Sequence, residues 1–210
     1  MSKQATEIDE AMQALVAAAK AGDYAAFERL VELNESAIYT LAMRMLQRRE
    51  DAEEVVQDTF LSVLEHLADF RGDSAFRTWL VRIATNHALK VLRRRRVHRT
   101  VPLDQGDDDH EPLPHPDFIA QWRDDPAELV EQRETQHLLN QAIGNLDEKY
   151  RMIFLLRDVE GLTTEEAAST LGISVANAKV RLLRARLMLR ERLTREFGDP
   201  AARVAPHKHE

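Results

Sequence analysis

The chain has 210 residues, of which 44% are hydrophobic and 6% aromatic, and it carries a formal net charge of −7 and no cysteine. The lack of cysteine excludes disulfides, zinc–thiolate sites and cysteine nucleophiles within this sequence. Ala, Leu, Glu and Arg predominate, and because these residues favour helices, the composition predicts an all-α protein with two small cores.

Charges are segregated along the chain. Every charge from Arg82 to Arg99 is basic, and a second basic stretch runs from Lys179 to Arg195 with Glu191 as its interruption. Acids concentrate in residues 50–58 and 104–134. This segregation predicts basic and acidic surfaces with different partners, although the net charge is negative.

No apolar run approaches the roughly 20 residues that cross a bilayer. No apolar signal region follows residues 1–4. We therefore expect a cytoplasmic protein without membrane insertion.

Residues 1–99 are predicted to form a first helical domain. Apolar residues recur at helical spacing, as in Ile38, Leu41, Ala42 and Met45. Breaks are expected at Gly22-Asp23, at 48–51 and at 71–74, where Asp or Ser can cap the next helix.

Within this domain, segment 51–61 predicts a helix with an acidic outer ridge. Helical spacing directs Val55, Val56, Phe60 and either Val63 or Leu64 toward the core. The residues left outside are Asp51, Glu54, Gln57 and Asp58.

Segment 70–86 joins an aromatic stretch to a basic helix. This combination suits single-stranded nucleic acid, which is held by base stacking and by neutralisation of its backbone. For Trp79, Leu80 and Ile83 we expect mainly structural roles. Asn86 can present a donor and an acceptor to a base edge, or it can act as a helix cap.

Residues 100–126 are predicted to form an extended acidic linker. The segment contains five prolines among many acids: Pro102, Pro112, Pro114, Pro116 and Pro126. Helical periodicity resumes over 127–197, which predicts a second domain, and residues 198–210 are expected to form a flexible tail.

The second domain contains the most specific local pattern, a predicted helix-turn-helix over 161–181. Thr163 and Glu166 can form a capping box, and Ala168 leaves room for a crossing helix. Gly172 permits the turn, and Ser174 can cap the next helix. An ordinary helical hairpin with a basic solvated face is the alternative. The face expected to enter a DNA groove carries Asn177, Lys179, Arg181 and Arg184.

Three segments resemble the extracytoplasmic-function sigma factors, the RpoE-like group of the sigma-70 family. Segment 51–61 is similar to region 2.2, segment 70–86 to regions 2.3 and 2.4, and segment 146–193 to region 4. The resemblance implies promoter recognition and transcription initiation with core RNA polymerase, whose beta-prime clamp helices and beta flap would be bound. It also implies binding of duplex and single-stranded promoter DNA and restraint by an anti-sigma factor.

The resemblance assigns candidate residues to each partner. Contacts to the duplex minus-35 element are expected from Asn177, Lys179, Val180, Arg181, Leu183 and Arg184. Contacts to the melted minus-10 element are expected from Phe76, Arg82, Asn86, Lys90, Arg93 and Arg94. The acidic ridge, Asp51, Glu54, Gln57 and Asp58, is expected to dock on the clamp helices. The acidic linker is expected to pass through the polymerase, with a plain spacer as the alternative.

Two other functions stay open on the sequence. The first is a conventional helix-turn-helix regulator that binds duplex DNA without polymerase, and the second is an interaction protein that sequesters a partner. We found no nucleotide-binding glycine loop, nucleophile elbow or paired metal-binding histidines, so we expect no catalysis, no metal site and no cofactor.

Overall fold

A computed structural model describes the backbone over residues 3–99 and 133–197 and the side chains over 10–97 and 137–194. The chain divides into two compact units, Met1–Leu103 and Asp104–Glu210. All regular elements within the described ranges are helical, which confirms the all-α fold class. The predicted linker, its acids and the tail lie outside these ranges, and the predicted domain boundaries remain predictions.

The described part of the first unit, residues 3–99, contains four α-helices. They are α1 (Lys3–Lys20), α2 (Tyr24–Leu46), α3 (Arg49–His66) and α4 (Phe76–Arg99), with a short 3-10 turn at Leu67–Asp69. Asp23 starts α2, because its Oδ1 accepts hydrogen bonds from the backbone N–H groups of Ala25 (2.9 Å) and Ala26 (3.1 Å).

The core of the first unit lies between α2, α3 and α4. Its buried side chains recur every three or four residues on each helix, so each helix contributes one largely apolar stripe. They include Leu30, Asn34, Ile38, Leu41 and Met45 on α2, Ala52, Val55, Thr59 and Val63 on α3, and Val81, Ala84, Ala88 and Val91 on α4. Val63, not Leu64, is the residue of that pair that enters the core, since Leu64 is exposed.

The second unit contains α5 (Arg133–Gly144), α6 (Glu148–Phe154), α7 (Thr164–Leu171) and α8 (Val175–Phe197). A π-helical turn, Leu155–Val159, follows α6 directly. Arg151 joins α6 to the end of α5, since its Nη1 donates to the carbonyl oxygens of Gly144 and Leu146, each at 3.0 Å. Burial lowers the pKa of this guanidinium. Its hydrogen bonds satisfy carbonyl groups that the end of a helix leaves without partners.

The long helix α8 is the centre of the second unit. One stripe of it, formed by Ala178, Leu182, Ala185 and Leu189, is buried, and these positions are separated by three or four residues. Within the described ranges, none of the helices is both long and apolar enough to cross a membrane.

Candidate nucleic-acid and protein interfaces

The predicted helix-turn-helix is formed by α7, a turn at Gly172 and α8. The Thr163 hydroxyl accepts from the Glu166 N–H (3.1 Å), and the Glu166 carboxylate accepts from the Thr163 N–H (2.8 Å), which confirms the capping box. Gly172 adopts a left-handed conformation with φ 68°. Ser174 begins α8 by accepting from the Asn177 N–H at 3.1 Å. Ala168 is buried, being only 1% exposed.

The exposed face of α8 runs through Lys179, Leu183, Arg186 and Arg190, each separated from the next by three or four residues. Leu183 is 46% exposed, which is high for a leucine on a helix of a folded unit. Lys179 and Leu183, both predicted to contact DNA, therefore share one accessible face. Asn177, Val180 and Arg181 are half-buried at the sides of this face.

Arg184 does not lie on this face, contrary to the sequence prediction. Arg184 is only 2% exposed, and its Nη1 lies 3.5 Å from the hydroxyl of buried Tyr150. Arg184 comes directly before Ala185, at the side of the buried stripe that α6 covers. In this conformation its guanidinium cannot contact DNA, so we correct its assignment from reading DNA to packing the second unit.

Arg186 was missed in the sequence analysis and lies on the exposed face of α8. Its Nε and Nη2 donate to the Asp158 carboxylate at 2.8 Å and 2.7 Å, and this bond raises the pKa of the guanidinium. Asp158 belongs to the π-helical turn. The position could have been found from the sequence, because Arg186 follows Lys179 and Leu183 at helical spacing.

Helix α4 brings four of the residues predicted to bind single-stranded DNA onto one face. Arg82, Asn86, Lys90 and Arg93 are separated by four, four and three residues, so they form a continuous line that we call the α4 stripe. Asn86, Lys90 and Arg93 are exposed, and Arg82 is half-buried. Asn86 lies in the interior of α4, which removes the helix-capping alternative for this residue.

Phe76 belongs to a ring cluster and not to the α4 stripe. It is only 6% exposed and packs edge-on against Phe70, with ring centroids 5.8 Å apart. Trp79 completes the cluster at 5.1 Å from Phe70 and 5.9 Å from Phe76. A buried ring cannot stack on a base, so we correct the assignment of Phe76 to a structural one, as predicted for Trp79.

The predicted acidic ridge on α3 divides into two parts. Gln57 lies on the outer side of the helix and is exposed. Asp51, Glu54 and Asp58 lie one turn apart on the side of α3 that faces α4, and each has a basic neighbour there. The expectation that all four side chains are available outside holds in part: the side chain of Asp51 is only 14% exposed, whereas those of Glu54 and Asp58 are 38% and 48% exposed beside their basic neighbours.

These three acids form a charge ladder with α4, because α3 and α4 run antiparallel. Asp51 pairs with Arg95, Glu54 accepts from both terminal nitrogens of Arg94 at 2.8 Å and 2.7 Å, and Asp58 lies 3.6 Å from His87. Arg95 also donates to the Leu46 carbonyl at 3.0 Å, so its guanidinium joins the end of α2 to the start of α3.

His87 stands at the end of the charge ladder, with its Nε2 at 2.9 Å from the Ser62 hydroxyl. Burial lowers the pKa of His87, the charge of Lys90 lowers it further, and Asp58 opposes both effects. The order Ser62, His87, Asp58 has the composition of a hydrolase triad. However, 3.6 Å between the Asp58 carboxylate and the ring is longer than a hydrogen bond, so the carboxylate does not orient the imidazole.

Two apolar residues, Leu61 and Leu64, lie on the outer side of α3, although Leu64 was one of the two alternatives expected in the core. Leu61 is 58% exposed and Leu64 is 51% exposed, and both follow Gln57 at helical spacing. We call Gln57, Leu61 and Leu64 the outer strip of α3. Adjacent exposed leucines on a helix of a folded unit are typical of a surface that a partner covers.

Comparison with known proteins matches both units to one family. Residues 30–97 match the family model of sigma-70 region 2, and residues 136–189 match that of sigma-70 region 4. The ECF RNA polymerase sigma-E factor of Haemophilus influenzae is 31% identical over 195 residues, which cover 92% of this chain and 98% of the relative. The chain belongs to the extracytoplasmic-function sigma factors.

Other relatives agree with this family. The RNA polymerase sigma-H factor of Pseudomonas aeruginosa is 33% identical, with 83% of this chain and 89% of the relative covered. The structure of CnrH in complex with the cytosolic domain of CnrY matches with a TM-score of 0.55 and 28% identity, covering 87% of this chain and 96% of CnrH.

The family confirms the predicted function. The chain is an RNA polymerase sigma factor that directs the core enzyme to promoters, and a conventional regulator that acts without polymerase is not favoured. Sigma factors are initiation subunits, and the polymerase performs the catalysis. Within residues 10–97 and 137–194, no group of three His, Asp or Glu side chains is placed to hold a metal ion.

Proposed function

We propose that this sigma factor reads duplex minus-35 DNA with the exposed face of α8. The supporting observation is that Lys179 and Leu183 lie on one accessible face of α8, the second helix of the helix-turn-helix. Lys179 can bind phosphate or a base acceptor, and Leu183 can contact a thymine methyl group. Asn177, Val180 and Arg181 flank this face and bind at its margins, whereas Arg184 supports the helix from inside.

The α4 stripe holds the melted minus-10 strand in this proposal. Lys90 and Arg93 neutralise phosphates, and the amide of Asn86, which is exposed between Arg82 and Lys90, presents a donor and an acceptor to a base. The ring cluster, to which α4 contributes Phe76 and Trp79, anchors the start of that helix and so positions the stripe.

The outer strip of α3 docks on core polymerase. Protein interfaces commonly have an apolar centre surrounded by polar residues. Leu61 and Leu64 supply such a centre, and Gln57 supplies hydrogen-bonding groups at its edge. The beta-prime clamp helices are the expected partner of this strip, and the beta flap is the expected partner of the second unit.

An anti-sigma factor is the fourth partner that we propose. Its support is the similarity to CnrH, whose structure was solved with the cytosolic domain of CnrY. Such a protein would cover the outer strip of α3. Co-purification from the native host, compared between wild type and Leu61→Asp, tests this, since the substitution should release the partner.

Run-off transcription with purified core polymerase and a promoter library tests the sigma mechanism. We expect promoter-specific transcripts that weaken about ten-fold with Lys179→Ala or Asn86→Ala, because each removes a contact worth roughly 1–3 kcal/mol. Arg29→Gln, which removes an exposed basic charge on α2 where Arg29 pairs with Glu32 at 2.6 Å, is the control and should retain transcription. Tight duplex binding without any transcript would instead support the conventional regulator.

Promoters in which the minus-35 element or the minus-10 element is exchanged separately distinguish the roles of α8 and the α4 stripe. Lys179→Ala should reduce the discrimination among minus-35 variants and leave that among minus-10 variants unchanged. Asn86→Ala should have the opposite effect. If both substitutions reduce transcription equally at every promoter, the division of labour proposed here is wrong.

A further inference from the structure

The charge ladder joins residues that the family resemblance assigns to two different partners. Glu54 was predicted to bind polymerase and Arg94 to bind DNA, yet the two side chains form a bidentate pair at 2.8 Å and 2.7 Å. Each group is therefore occupied by the other while the protein has neither partner.

The two arginines of the ladder differ in how firmly they are held. The side chain of Arg95 is 25% exposed, its partner Asp51 is 14% exposed, and the Leu46 carbonyl holds the guanidinium from a third helix. The side chain of Arg94 is 53% exposed and that of Glu54 is 38% exposed. Arg95 is thus a structural residue, whereas the pair of Glu54 and Arg94 can open without disturbing the core.

Arg94 stands directly beside the α4 stripe. It follows Lys90 by four residues and Arg93 by one, so its guanidinium, once free, would extend the same basic surface. Glu54 stands beside the outer strip of α3, three residues before Gln57. The hydrogen bond from Arg94 lowers the pKa of Glu54, so the carboxylate is ionised at neutral pH and balances the charge of Arg94.

We propose that Glu54 masks Arg94 in the polymerase-free protein, and that docking of core polymerase on α3 releases Arg94 for promoter DNA. This inference rests on the proposed roles of α3 and α4. The Glu54 carboxylate cannot pair with Arg94 and with a basic group of the polymerase at the same time. Binding of polymerase therefore favours binding of DNA, and binding of DNA favours binding of polymerase to the same extent. The pairing of Glu54 with Arg94 therefore weakens binding of DNA by the sigma factor in the absence of polymerase.

The first experiment measures binding of the full-length, polymerase-free protein to a fluorescent single-stranded oligonucleotide at several salt concentrations. Glu54→Gln should tighten binding about three- to five-fold and steepen the salt dependence, because one more arginine becomes available to a phosphate. Glu53→Gln is the matched control, since Glu53 is one residue away, has the same charge and pairs with Arg49 on its own helix at 2.7 Å.

A double substitution separates release of Arg94 from the general loss of negative charge. In an Arg94→Gln background, Glu54→Gln should tighten binding no more than Glu53→Gln does. Equal effects of Glu54→Gln and Glu53→Gln in the wild-type background would overturn the mask.

The second experiment measures the affinity of core polymerase for the full-length sigma factor. Arg94→Gln frees Glu54 and should tighten this complex about three-fold, whereas Arg93→Gln, one residue away on the exposed side of α4, should not. Equal effects of the two substitutions would overturn the coupling. Failure of the proposed function would look different, because the wild-type protein would then give no promoter-specific transcripts with core enzyme.

Discussion

Replacement of Arg95 by methionine tests whether one of the four consecutive arginines, 93–96, is structural. Arg95→Met keeps the apolar stem and removes the bond to the Leu46 carbonyl (3.0 Å) and the pair with Asp51. A net contribution of about 1.5 kcal/mol for a charged hydrogen bond, and about 1 kcal/mol for the partly buried pair, gives a loss of roughly 2.5 kcal/mol. For a unit of this size, the melting temperature should fall by about 10–20 °C.

Thermal unfolding followed by tryptophan fluorescence measures this loss in the first unit. The chain has two tryptophans, and a Trp122→Phe background leaves Trp79, which lies in the ring cluster of the first unit, as the reporter. Arg93→Met is the matched control, because Arg93 is exposed and a surface substitution changes stability by at most about 0.5 kcal/mol.

A double-mutant cycle then assigns the loss to the ladder. If Asp51 is the partner, Arg95→Met should cost less in an Asp51→Asn background than in the wild-type background. If Arg95→Met lowers the melting temperature no more than Arg93→Met does, Arg95 does not join α2 to α3, and the distinction between the two ladder arginines fails.

Three further predictions concern the rest of the molecule. Arg184→Ala should destabilise the second unit by about 2–3 kcal/mol, seen as faster amide exchange in α6 and α8, whereas Lys179→Ala should weaken DNA binding and leave exchange unchanged. Gly172→Ala should cost about 1 kcal/mol in calorimetry through its positive φ alone, because an added Cβ meets no atom within 4 Å. Because the pKa of His87 is lowered in the folded state, the unfolded chain binds that proton first, so stability should fall as the pH drops below about 6.5. His87→Gln should lose less stability than wild type over the same acidification, and equal losses would mean that burial of His87 has no energetic effect.

Local signals in the sequence predicted much of the fold. Thr163 and Glu166 form the expected capping box, Gly172 forms the expected turn, and Ser174 begins the expected helix, because each effect depends on residues within four positions along the chain. The α4 stripe could be predicted for the same reason, since residues three or four apart on one helix share a face whatever packs against the other side.

The pairing of charges between helices could not be read in this way. Whether Glu54 is available to a partner depends on Arg94, which is 40 residues away along the chain and reaches it because α3 and α4 are antiparallel neighbours. The sequence indicated an acidic surface on α3 and a basic surface on α4, and only their packing revealed that some of these side chains pair with each other.

Burial of individual residues within a correct motif was likewise decided by the tertiary structure. Lys179 and Arg184 stand in the same helix with similar side chains, and the sequence alone assigned both to DNA. Helix α6 covers one side of α8 with Tyr150, so Arg184 is enclosed and Lys179 is not. The sequence by itself determined which helices form and what family they belong to, because those depend on local propensity and on motifs. Which charged side chains remain free to bind depended on the neighbouring helices, because exposure is a property of the packed unit.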